Sequence, residues 1–366
     1  MGRVFSALLV TFALGMAGAQ ADWQLKRFDG RDYVRLDEIA EFYGLPRGVS
    51  PQDKMVFLNR GKKSLKLTQD SRQVQLNGVN YWLSFPVIQR EDDYWISRMD
   101  LGKTIEPAFR PEMVQDVKSF TSVILDPGHG GHDKGASSPY EVEKNFSLDV
   151  ARRVRNELQK AGLRVFMTRN NDAFVELHDR ANLANSKLNS IFVSLHFNAS
   201  PNFEATGLEI FCVSPRGSPS TEYDELLVRD MVQEFGNDNE VQSFTLASAI
   251  YHALQGSSLT MFDRGVKRAR FAVLRLTKMP AVLVEGGFLS NSRDARLVAD
   301  TAWRDKYARA IAAGILEYRK LADLKMAPRI AADYSKGPAT PIASVPGPTP
   351  SSTGTILLEL PPAKTN

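Results

Sequence analysis

The chain predicts an α/β protein whose catalytic part has a mostly parallel central sheet flanked by helices, preceded by a small α+β unit. Three observations carry that expectation. Between about residues 121 and 320, short apolar runs alternate with stretches of helical period, the pattern of strand–helix–strand units. Upstream, Val74 and Leu76 alternate into Asn77-Gly78, and Val79, Tyr81 and Leu83 alternate out, the signature of a hairpin with a tight turn. The composition, 43% hydrophobic and 24% charged over 366 residues, gives enough apolar mass for more than one core.

No apolar run approaches the ~20 residues needed to span a bilayer, which excludes a polytopic membrane protein. A net charge of +4 demands no nucleic-acid partner. Residues 1–21 read as an export signal: Arg3 is the positive start, Val4 to Ala17 the apolar stretch, and Ala19-Gln20-Ala21 the cleavage site. An exported thiol is expected to meet an oxidising compartment. The single cysteine, Cys212, can form no intramolecular disulfide and lies in the apolar run Leu208 to Val213, so a buried strand position is expected. Residues 324–366 are rich in Pro, Ser, Thr and Gly, a composition that buries too little apolar surface to offset its ordering entropy. Within this expected flexible tail, Ile356 to Leu360 is a candidate for a small docking strand.

Residues 22–118 form the first unit. Asp37 is placed to cap a short helix on which Ile39, Phe42 and Tyr43 share a face, and Gly44 suits its left-handed stop. No titratable cluster of catalytic type lies in this unit.

The second unit, 119–323, holds the chemistry. Val123 to Leu125, Leu163 to Met167, Ile191 to Leu195, Leu208 to Val213, Phe271 to Leu276 and Ala281 to Val284 are strand candidates. Helices fit at 146–158, 175–188, 244–255 and 301–320. In open sheets of this kind functional groups gather past the carboxyl ends of strands. Three strands deliver ionisable residues there: Leu125 runs into Asp126-Pro127-Gly128-His129, Leu195 into His196, and Val284 into Glu285. Glu143 precedes the first helix of the unit. Two imidazoles with a carboxylate are the ligand set of an open zinc site. A second, uncoordinated carboxylate is what such a site needs as general base. Each residue alone has a plainer reading as a turn, a core histidine or a rim charge; four together at strand ends favour the site. The glycine spacing after Asp126 matches no phosphate-binding loop.

LDPGHGGHDKGA, EKNFSLDVA, MTRNNDAFVELHDRANLAN, SLHFNAS, RGVKRARFAVLR and PAVLVEGGFLSN, in that order over about 200 residues, resemble the zinc-dependent N-acetylmuramoyl-L-alanine amidases of cell-wall hydrolysis. The resemblance implies Zn2+ as cofactor, His129, Glu143 and His196 as its ligands, Glu285 as the catalytic glutamate, and peptidoglycan as the substrate. It implies a periplasmic or secreted enzyme that cleaves the bond between N-acetylmuramic acid and L-alanine. Rivals are a zinc peptidoglycan peptidase and a non-catalytic wall-binding protein. His132 is a second imidazole in the first motif, where the family pattern has one ligand. Asn198 is a candidate oxyanion donor. Arg169 and Arg180 are candidates for peptide carboxylates, or else for salt bridges within the domain. Some such amidases carry a helical insertion that closes the site until a protein activator arrives. Ser214 to Gln242 is the corresponding stretch, with an amphipathic piece at Glu222 to Phe235.

The first unit, through YVRLDEIAEFYGL, RQVQLNGVNYWLSFPV and YWISRMDLGKTIEPAFRP, resembles the N-terminal stalk domain of copper amine oxidases. That domain carries no copper. Arg60-Gly61-Lys62-Lys63, with Lys66, reads as a charged hairpin edge rather than a contact to anionic wall polymer.

Overall fold

A computed structural model describes residues 23–324 apart from Pro51 and Asp53. The expected export signal and the tail beyond Leu324, Ile356 to Leu360 included, lie outside the described residues. Among those described, no helix is long and apolar enough to cross a membrane.

The first unit contains β1 (Leu25–Phe28), β2 (Arg31–Arg35), α1 (Leu36–Tyr43), β3 (Arg47–Ser50), β4 (Met55–Arg60), β5 (Lys63–Thr68), β6 (Gln73–Leu76), β7 (Val79–Trp82), β8 (Ile88–Arg90) and β9 (Asp93–Ser97). Short helical turns follow, including α2 (Arg98–Asp100) and α3 (Glu106–Phe109). The Asn77-Gly78 hairpin forms as expected: both residues have positive φ, 51° and 84°, the geometry of the mirror-image turn that suits twisted strands. Gly44 ends α1 in the left-handed region. Asp37 is not the cap. The helix begins at Leu36 with Arg35 in the cap position, two residues earlier than a cap at Asp37 requires, and Asp37 sits in its first turn, bound to Arg47 at 2.6 Å. There its charge complements the positive end of the helix. The charges at 60–63 form the exposed tip of the β4–β5 hairpin.

The second unit contains β10 (Ser122–Pro127), α4 (Glu143–Lys160), β11 (Arg164–Met167), α5 (Leu177–Asn185), β12 (Ser190–Asn198), β13 (Leu208–Val213), α6 (Glu240–Gln255), β14 (Asp263–Ala269), α7 (Ala272–Arg275), β15 (Ala281–Phe288), α8 (Ser292–Ala299) and α9 (Thr301–Asp323). β11, β10, β12 and β15 are parallel neighbours, and β13 joins β15 antiparallel. One face of the sheet packs on α4, α6 and α9 through residues such as Val154, Phe244 and Ile311, all fully buried. The other face packs on α5 and α7 through Ile124, Phe192 and Leu274. The mostly parallel, helix-flanked sheet stands as predicted.

One strand expectation fails, and one strand was missed. Phe271 to Leu276, expected as a strand, contains the single helical turn α7, whose Val273 and Leu274 are buried. A short apolar run does not distinguish strand from buried helix, and here the preceding residues already fill the strand position. That strand, β14, was not anticipated, because its sequence DRGVKRA has the look of surface. Cys212 is buried in β13 as expected, and burial pushes its thiol pKa up.

The two units share one sheet. β14 pairs in parallel with β7 through Val266 and Tyr81, so eleven strands run from β11 to β3. Tyr81 is fully buried against Phe244 of α6, and its hydroxyl lies 2.7 Å from Ser248 Oγ. Arg268, also buried, donates to the carbonyls of Val213 and Lys103, tying β13 to the first unit.

Candidate metal centre

β10, β12 and β15 end side by side, and the predicted residues meet there. After β10 the chain passes through Gly128 and His129, the latter at φ 59°, a conformation most side chains avoid. Two buried arginines hold this loop. Arg180 donates to the carbonyls of Pro127 and His129 and to Asp126 Oδ1, each at 2.8 Å. Arg169 donates to the Pro127 carbonyl at 3.0 Å and the Gly128 carbonyl at 2.6 Å. Arg180 is a salt-bridge and loop-holding residue and Arg169 a loop-holding one bound to backbone carbonyls, rather than contacts for a peptide carboxylate. Strain of about 1–3 kcal/mol at His129 persists because these bonds over-determine it.

Glu143 opens α4 and is 3% exposed. Its Oε2 lies 2.9 Å from His129 Nε2 and accepts from the Ala136 amide at 2.8 Å. Its Oε1 lies 2.9 Å from His196 Nδ1 and accepts from the Phe197 amide at 3.0 Å. One ligand atom from each of His129, Glu143 and His196 lies within 4.8 Å of the others. Burial opposes ionisation of Glu143, but the two histidines outweigh it and hold the carboxyl far below its usual range. Glycine is required twice nearby. A Cβ on Gly128 would stand 2.2 Å from the His196 ring, and one on Gly135 2.5 Å from Glu143 Oε2.

Glu285 stands beside the cluster and not in it. On β15 it pairs with His196 of β12 on one side and Glu209 of β13 on the other. Its Oε2 is buried without a hydrogen-bond partner. Burial, then the charges of Glu143 and Glu209, push its pKa well up, with Lys267 opposing. Such a carboxyl can both take and return a proton.

Sequence reasoning missed two sets of residues. Asp133 Oδ2 lies 2.8 Å from His129 Nδ1 and so fixes that ring; its only signal was an aspartate four positions after the histidine. Glu209 accepts from Lys267, Arg264 and Asn198 at 2.6, 2.5 and 2.7 Å. The Asn198 side chain is thereby turned toward Glu209. No local pattern announced this group, because its members come from three strands. His132 packs against Phe174, ring centroids 4.2 Å apart and tilted by 39°, outside the ligand cluster.

The 214–242 stretch leaves β13 at the opposite end of the sheet, where β12 and β15 begin. Asn237 donates to the Ser214 carbonyl, Arg270 pairs with Asp230, and Arg275 pairs with Glu234. The piece from 222 to 235 holds one short turn, Val228–Met231, rather than a long helix.

Ligand-type side chains meeting at the carboxyl ends of parallel strands, with a spare acid at hand, make this an α/β enzyme of the metal-assisted hydrolase class. The family model for N-acetylmuramoyl-L-alanine amidases matches residues 123–317, and the chain belongs to that metal-dependent family. It is 33% identical over 218 residues to the N-acetylmuramoyl-L-alanine amidase AmiA of Escherichia coli (strain K12), covering 54% of this chain and 75% of the relative. It is 32% identical over 257 residues to AmiC of Escherichia coli O6:H1, covering 64% and 61%. Among solved structures, AmiC2 of Nostoc punctiforme is 30% identical, covers 56% of this chain and 99% of its own, and has a TM-score of 0.46. The chain is accordingly an amidase, and peptidoglycan is its substrate class.

Proposed function

We propose that the protein is an exported, zinc-dependent amidase that frees the stem peptide from N-acetylmuramic acid during cell-wall remodelling or daughter-cell separation. The observation that carries this is the convergence of His129, Glu143 and His196 beside an uncoordinated Glu285. Two imidazoles and a carboxylate fit zinc, and three protein ligands leave a position open for water or substrate. When bound, zinc lowers the pKa of water to about 7 and polarises a carbonyl. Glu285 removes the proton of the attacking water and returns it to the departing L-alanine nitrogen. Asp133 keeps His129 in the tautomer that presents Nε2 to the centre. Residues 1–21 supply the export signal, 22–118 the first unit, 119–323 the catalytic domain, and 324–366 the tail.

The deciding experiment digests purified peptidoglycan with the mature protein and identifies products by mass spectrometry alongside the zinc content. Peptides beginning with free L-alanine, and one zinc per chain, are expected. Cleaved cross-links with intact muramoyl-alanine bonds would establish the peptidase instead. A smaller effect is expected from Asp133→Ala, which removes only the partner of His129 Nδ1. Zinc affinity, followed by competition with a chelator, should fall roughly 10–100-fold. Unchanged affinity would show that the ring is held by the loop alone.

A further inference from the structure

The sheet face that carries the metal centre continues past the edge strand of the catalytic unit. Strand partners share a face, so His196, Glu285 and Glu209 form one row across β12, β15 and β13. Lys267 of β14 donates to Glu209, and its ammonium lies over the Trp82 ring, 5.7 Å from the centroid. Trp82 Nε1 donates to the Arg264 carbonyl at 3.2 Å. The register partner of Glu209 on β14 is Gly265, and Lys267 two residues on carries this face to β7, from which it extends over β6, β5 and β4.

That outer face has a distinct chemistry. Along β4–β7 the inward residues, Val56, Leu65, Val74 and Tyr81 among them, are buried. The alternating outward ones include Phe57, Lys66, Gln73, Gln75, Asn80 and Trp82, all half-buried or exposed. Lys66 is the only charged residue at the outward positions of these four strands. Electrostatic attraction to an anionic polymer is therefore not what this face offers. Asn80 already donates to the Asp263 carbonyl at 3.1 Å, so what the face offers is the planar amides of Gln73 and Gln75, which both donate and accept, framed by the rings of Phe57 and Trp82. Those groups match a chain of hydroxyls and N-acetyl amides. At about 4.8 Å per strand, β4–β7 spans about 14 Å, and the row from β7 to β12 adds about 19 Å.

We propose that the outer face of β4–β7 binds the glycan strand of peptidoglycan and aligns it with the metal centre. This rests on the amidase reading, because the ligand named is that enzyme's polymer. Alignment across one rigid sheet holds the muramoyl bond near Glu285 while neighbouring sugars rest on Trp82 and the glutamines.

The test uses the full chain carrying Glu285→Gln, so that the polymer is not digested. Co-sedimentation is measured with purified sacculi and with glycan strands stripped of stem peptides. Both should carry the protein down, and adding Gln73→Ala, Gln75→Ala and Trp82→Ala should weaken binding to both about tenfold or more. Trp82 also touches Lys267, so the Gln73→Ala, Gln75→Ala pair is measured alone; it should weaken binding in the same direction with an unchanged melting temperature. Lys62→Ala with Lys63→Ala, at the hairpin tip, should leave binding as it was. Undiminished binding by the glutamine variants, binding only where peptides remain, or loss that follows the hairpin lysines would each overturn the proposal. Failure of the amidase reading shows separately, as no L-alanine-led peptide released from a soluble muropeptide by the unsubstituted protein.

Discussion

Glu285→Gln is expected to retain zinc while its turnover falls by roughly 10²–10⁴-fold, the usual contribution of general acid–base catalysis. The ligand atoms of His129, Glu143 and His196 converge without it, so the substitution leaves the proposed coordination untouched. The amide also fits the site: Oε2 has no hydrogen-bond partner to lose, and the neighbouring Glu143 and Glu209 repel a charge there. Glu143→Gln should behave differently. It removes an anionic oxygen that lies 2.9 Å from each imidazole, and the neutral amide is a poorer partner for a divalent cation. Zinc content and amidase rate, measured side by side, separate the two residues. If Glu285→Gln loses zinc while Glu143→Gln keeps it and turns over poorly, the roles must be exchanged.

His129, His196 and Glu285 were legible because each comes at the end of a short apolar run, and strand ends are where an open parallel sheet collects its chemistry, while Glu143 was legible at the start of the first helix of the unit. The helices α4, α6 and α9 were legible for a similar reason, since their apolar faces repeat with helical period. What escaped was non-local. β14 carries Arg264, Lys267 and Arg268, charges that suggest a solvated loop. Their partners are Glu209 on β13 and the carbonyls of Val213 and Lys103, far away in sequence. The shared sheet was hidden likewise. Nothing around Tyr81 distinguishes a hairpin strand that ends at solvent from one that pairs with Val266. Arg169 and Arg180 show the same limit, because a sequence cannot say whether a guanidinium faces a substrate or its own backbone.

Arg180→Met should destabilise the catalytic domain by about 3–5 kcal/mol, the cost of leaving one half of a buried ion pair without its partner. The pair is nearly inaccessible, with side chains 3% and 1% exposed, and Arg180 Nη1 is 2.8 Å from Asp126 Oδ1. Thr168 and Ser194 still donate to Asp126 at 2.6 and 2.7 Å, but neither neutralises its charge. The same arginine supports the His129 carbonyl, so the loss reaches the metal centre: a loop free to relax from its left-handed conformation no longer presents the imidazole. Urea unfolding should show a lower midpoint, and zinc affinity should fall with it. Lys160→Met, which breaks an exposed pair with Glu157, is the control and should cost less than about 1 kcal/mol. If Arg180→Met unfolds at the wild-type midpoint and binds zinc as tightly, the arginines do not brace the centre, and the strain at His129 must be held by the glycine-rich loop itself.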